Sequence, residues 1–141
     1  MSGAAPAVGG LPLPVELLTV LEKGLWRPPA DGSILTDVFD DVPELPEFYD
    51  YPAIERQNRS WQAMPVASVF GHPVEGRSLG IDPHQSIVIA DLGPDMPIVL
   101  DYRISRESPR VLYLGFSEIP VWIEVASSFS ELLHRLNISD G

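Results

Sequence analysis

The residues able to do chemistry are few and scattered. His72, Asp82 and His84 fall in one loop, 71–85, rich in Gly and Pro, and a metal ion would want such a cluster. One histidine stands twelve residues before the other, which fits no closed zinc pattern, and the chain has no cysteine to supply thiolates. The loop therefore reads as an ordinary polar loop, and neither metal nor cofactor is expected. Asp101 and Arg103 flank Tyr102 and share one face of a strand. As an active-site pair they would need a cleft; as an ion pair at the rim of a sheet they need only a neighbouring strand, and the second reading is simpler. The serines sit in caps or turns, and no Gly-x-Ser-x-Gly occurs. Gly93-Pro94-Asp95 is a turn, since the Gly-rich fingerprint and basic residue of a phosphate loop are missing. Asp40-Asp41 could do acid–base work in a cleft. They stand in a run of acids without a basic or polar counterpart, so surface charge is the better reading.

Charge is more informative than any motif. The formal net charge is −11. Asp31, Asp37, Asp40, Asp41, Glu44, Glu47, Asp50 and Glu55 fall between residues 31 and 55, where there is no Lys or Arg. This balance argues against nucleic-acid binding, which requires neutralisation of phosphates. It argues equally against an anionic membrane surface. A basic protein is the natural complement, because opposite fields steer encounter. Trp26, Phe39, Phe48, Tyr49, Tyr51 and Trp61 lie within or beside the acidic stretch. Most should be core, with Tyr49 or Tyr51 the better exposed candidates for a binding patch. The expected partner-binding residues are Asp31, Asp37, Asp40, Asp41, Glu44, Glu47, Asp50 and Tyr51. The bland alternative is a solubilising acidic surface.

The elements that must position these residues are clearest in the second half. Ser86–Leu136 holds four apolar runs: 87–90, 97–103, 111–114 and 121–125. Short turns at 93–95 and 104–109 favour antiparallel neighbours and hence a meander. The first and third runs are apolar on both faces, as strands covered on both sides would be. A helix follows, opened by Ser128 with Glu131 as a capping box, carried by Phe129, Leu132, Leu133 and Leu136, and stopped at Asn137.

The first half is less patterned. Residues 1–10 read as a flexible tail and 11–138 as one domain. Leu13 to Lys23 reads as a short helix stopped by Gly24. Helical turns are expected around Glu44–Tyr49 and Ala53–Ser60, and a strand at Val66–Phe70. The fold class is α+β, an antiparallel-rich sheet packed by an N-terminal and a C-terminal helix. No stretch is long and apolar enough for a membrane helix. The N-terminus lacks the charge and apolar run of a secretory signal. With no cysteine, a cytoplasmic location is expected.

The order IVIADLGPDMPIVLDYR, PRVLYL, then W-x-x-V-A-x-x-F-x-x-L-x-x-L resembles the C-terminal half of the SUKH superfamily. Here the pieces are Leu100-Asp101-Tyr102-Arg103, Pro109 to Leu114, Trp122, and Ala126 to Phe129, a match over roughly residues 80–137. The first half departs from the family pattern, without a clear Leu-Pro-x-x-Tyr/Phe entry helix and Gly-rich turn. The family includes yeast cell-wall-synthesis regulators and bacterial toxin-immunity proteins. The resemblance implies a protein-binding domain without catalysis, in bacteria often an antitoxin masking a toxin, commonly a nuclease. The basic surface of a nuclease would suit the acidic segment. Competing expectations are a regulator or scaffold with another partner, and a small hydrolase using Asp82 and His84.

Overall fold

The apolar runs of the second half are the strands of one sheet. The computed structural model describes residues 7–39, 46–63, 81–93, 96–116 and 120–138. β4 (Ser86–Asp91), β5 (Pro97–Asp101), β6 (Arg110–Phe116) and β7 (Pro120–Ala126) pair antiparallel in chain order, as short connections require. A two-residue strand, β3 (Glu47–Phe48), adds to the outer side of β4. The α+β class is the observed one, with the meander where the sequence places it. The expected helical turn at Glu44–Tyr49 is corrected: Glu47–Phe48 is a strand, because Phe48 buries on the sheet while Glu47 faces solvent, a period of two. The expected strand at Val66–Phe70 and His72 lie outside the described residues.

Both faces of the sheet are covered, so β4, β5 and β6 read as continuous apolar runs. Cross-strand partners share a face. One face carries Val99, Asp101, Arg110, Leu112, Leu114, Trp122 and Glu124; the other carries Ile98, Leu100, Val111, Tyr113 and Ile123. The helices are α1 (Val15–Glu22), α2 (Gly32–Phe39), α3 (Tyr51–Trp61) and α4 (Phe129–Arg135). Phe39 of α2 meets Tyr113 edge-on at 5.3 Å on one face, and Trp61 of α3 meets Trp122 edge-on at 6.1 Å on the other. Trp26, following α1, stacks between Phe48 and Phe129 and ties the N-terminal half to β3 and α4.

Helix α2 has no counterpart in the sequence expectations. Leu35 and Phe39 bury and Ile34 and Val38 flank them, an i, i+1, i+4, i+5 stripe, with the exposed Asp37 off it. Helix α3 occupies the expected Ala53–Ser60 turn and extends it to Trp61.

The two ends of the helical layer close alike. Gly24 follows α1 at φ +69, with its N–H and that of Leu25 donating to Leu21 and Val20 carbonyls. Asn137 follows α4 at φ +58, and the N–H groups of Asn137 and Ile138 donate to His134 and Leu133. At the other end of α4, the Glu131 N–H donates to Ser128 Oγ at 3.1 Å. The Glu131 carboxylate accepts from Ser127 N–H, one residue earlier than a capping box would place it.

The first described residues form a small hairpin, β1 (Ala7–Val8) with β2 (Leu11–Pro12), which starts within the stretch 1–10 expected to be a tail and ends in the domain. Its two turn residues are glycines at φ +59 and +83, the left-handed pair a tight hairpin turn needs. Tyr102 donates to the Pro12 carbonyl at 2.6 Å and Arg106 to the Gly10 carbonyl at 2.7 Å, fastening the hairpin to the chain after β5.

Candidate partner-binding surface

The acidic residues expected at an interface divide by what their carboxylates already do. Asp31 lies exposed before α2 and accepts from the Ser33 hydroxyl at 2.7 Å and the Ser33 N–H at 3.0 Å. Those two bonds, the hydroxyl's first, hold its carboxyl below the usual carboxylate range. Asp50 caps α3, accepting from Ala53 N–H at 2.9 Å, with Pro52 behind it in the first turn. Both are therefore structural caps as well as surface charges. Asp37 and Glu55 are exposed on α2 and α3, and no described residue bonds to either carboxylate. Asp40, Asp41 and Glu44 lie outside the described residues.

Glu47 is the most informative of the set. On β3 it stands directly opposite Asp91 of β4. Like charges in that position destabilise a strand pair. Asp91 is half-buried and, among the described residues, has one side-chain donor, the Tyr49 hydroxyl, at 2.6 Å. Burial pushes the Tyr49 hydroxyl pKa up, and the Asp91 hydrogen bond and the charges of Asp91 and Glu47 push it further. The hydroxyl thus stays protonated and donates. No described cation pairs with Glu47 or Asp91. Tyr49 is 6 % exposed, which corrects its expected place on an exposed patch: its ring is core and only its hydroxyl reaches the acids. Tyr51 is half-buried against the core at the start of α3. Asp91 was missing from the expected site. The cue would have been the register of β3 on β4, which a two-residue strand does not reveal.

The Asp101–Arg103 pair is larger than expected. Asp101 is fully buried and takes Arg103 Nε at 2.9 Å and Arg110 Nε at 2.7 Å. Arg110 is its cross-strand partner on β6 and also reaches Glu124 at 3.5 Å. Among the described residues the cluster joins two carboxylates to two guanidinium groups. Desolvation raises the Asp101 pKa, but the bonds from Arg103 and Arg110 outweigh it and the carboxyl sits below its ordinary value.

The Asp82 carboxylate and the His84 ring do not hydrogen-bond to each other. The Asp82 carboxylate caps a single 3-10 turn at Pro83–Gln85, accepting from His84 N–H at 3.0 Å and Gln85 Nε2 at 2.8 Å. The His84 side chain is exposed. Among the described residues no three His, Cys, Asp or Glu side chains gather as a metal site, and no helix is long and apolar enough to cross a membrane.

Comparison of the chain with protein-family models, with curated proteins and with solved structures gives no match.

Proposed function

We propose that this chain is a non-enzymatic binding domain whose acidic surface, from Asp31 to Glu55 together with Asp91, receives a basic protein. The observation that carries the reading is the opposed pair Glu47 and Asp91. Two carboxylates facing each other across strands cost stability in the free protein. A partner's Lys or Arg laid between them relieves that cost, so part of the binding energy is relief of repulsion. Asp37 on α2 and Glu55 on α3 carry the same sign of charge on helices that pack on opposite faces of the sheet. The more specific form is an immunity protein that masks a basic toxin such as a nuclease, in the cytoplasm. That form rests on the resemblance of residues 80–137 to the SUKH superfamily and on the charge of the segment. The hydrolase reading loses support because the Asp82 carboxylate is engaged as a cap.

The test is co-expression of the chain with the toxin candidate encoded beside it, read as growth, alongside the association rate of the purified pair. Rescue of growth is expected, together with a rate that falls by about tenfold when Asp37→Asn and Glu47→Gln are combined at low salt. Unchanged association by that double variant removes the acidic-surface reading; association without rescue removes the immunity form.

A further inference from the structure

On a chain with more than two acids for every base, arginines are expected to find carboxylates. Among the described residues Arg56 and Arg59 do not. They project from one side of α3, three residues apart, and both are exposed. Neither makes an ion pair or side-chain hydrogen bond with a described residue. Glu55 stands four residues before Arg59, the spacing and order that favour a helical ion pair, and yet no such pair forms.

Both arginines line a cleft of about 460 Å³ between α3 and the β1–β2 hairpin, a size common for small-molecule sites. The far wall is Ala7, Val8 and Gly9, and Pro52 closes one end; on the α3 side Glu55 lines the cleft with Arg56 and Arg59, so an apolar wall faces a helix side that carries two cations and one carboxylate. The wall is held in place. Gln62 Nε2 donates to the Val8 carbonyl at 3.3 Å and to the Ser86 carbonyl at 3.2 Å, clipping the hairpin to α3 and β4. Gly9 makes that approach possible: at φ +59, a Cβ there would fall 1.9 Å from Gln62 Oε1.

We propose that this cleft binds a small organic oxyanion, a phosphate monoester or a carboxylate, with Arg56 and Arg59 holding the charged group and the hairpin wall covering its apolar part. Guanidinium groups suit this role because their planar donor forks match oxyanion geometry. The cleft adjoins the acidic surface at Glu55, and its two arginines outnumber that one carboxylate.

The experiment is calorimetric titration of the full chain with phenyl phosphate, phenylacetate and inorganic phosphate at constant ionic strength. Saturable one-to-one binding of phenyl phosphate or phenylacetate is expected, and whichever is tighter identifies the oxyanion. Arg56→Gln and Arg59→Gln should each weaken it by about tenfold, the size of one charge-assisted hydrogen bond. Arg27→Gln, an exposed arginine outside the cleft, should leave it unchanged. Gly9→Ala, which must displace Gln62 or the hairpin, should weaken binding with both arginines intact. No saturable binding of either organic anion, an equal loss in Arg27→Gln, or inorganic phosphate binding as tightly as phenyl phosphate would overturn the proposal.

Discussion

Asn58 and Val88 are joined at two points: Asn58 Nδ2 donates to the Val88 carbonyl, and the Val88 N–H donates to Asn58 Oδ1, both at 2.8 Å. A side-chain amide on α3 thus takes the place of a neighbouring strand. It does so where no described strand pairs, since β3 meets β4 at Ala90 and Asp91. Gln62 adds a bond to the Ser86 carbonyl one step along. An uncovered strand edge is a template for unwanted pairing, and here a helix closes it.

Asn58→Ala should destabilise the protein by about 2–4 kcal/mol, because it leaves two buried backbone groups of Val88 unsatisfied at once. Urea unfolding checks this, and the midpoint should fall with an unchanged slope. A loss below about 0.5 kcal/mol would mean that water replaces the amide and the edge is not sealed.

Much of this was written in the chain and some was not. The meander was legible because its runs are bounded by Gly, Pro and Asp and alternate or bury as strands do. Helix α4 was legible from Ser128, its apolar stripe and Asn137. Helix α2 was not, because its stripe of Ile34, Leu35, Val38 and Phe39 is short and sits among acids that also suit an irregular surface. Strand β3 and the Asn58 bond escaped for a different reason: both are tertiary. Two residues make no period, and Asn58 in a sequence is one more polar helix position. At the site, the charge was legible, but the roles were not. Asp31 and Asp50 look like any other acid until the N–H groups they cap are seen.

Asp101 contributes to acid stability. Its folded pKa lies below its ordinary value, so its contribution is present above the unfolded pKa near about 4 and is lost as pH falls through the folded value. Asp101→Asn removes the charge that holds Arg103 and Arg110 together. It should cost about 2–4 kcal/mol at pH 7, below the figure for a fully buried pair because both arginines are partly exposed. The variant should also lose part of the wild-type decline in stability below about pH 4. Thermal unfolding across that range reads both effects; parallel pH curves would contradict the assignment.

The two helix ends should respond oppositely to substitution. Gly24→Ala places a side chain at φ +69 with no atom within 4 Å of the new Cβ, so the cost is conformational, about 1 kcal/mol. Asn137→Gly removes a side chain from φ +58 and should be neutral to stabilising by about 0.5 kcal/mol. Unfolding midpoints that move in the same direction for both would show that these residues act through contacts instead.

The most direct measurement is the association rate of the chain with its basic partner as a function of ionic strength. Wild type is compared with an Asp37→Asn, Glu47→Gln variant and with a Glu22→Gln control whose charge lies outside the acidic segment. The wild-type rate should fall steeply with salt, by about tenfold or more between low and high ionic strength. The double variant should start lower with a flatter dependence, and the control should track the wild type. Equal rates and equal salt dependence for all three would contradict the account.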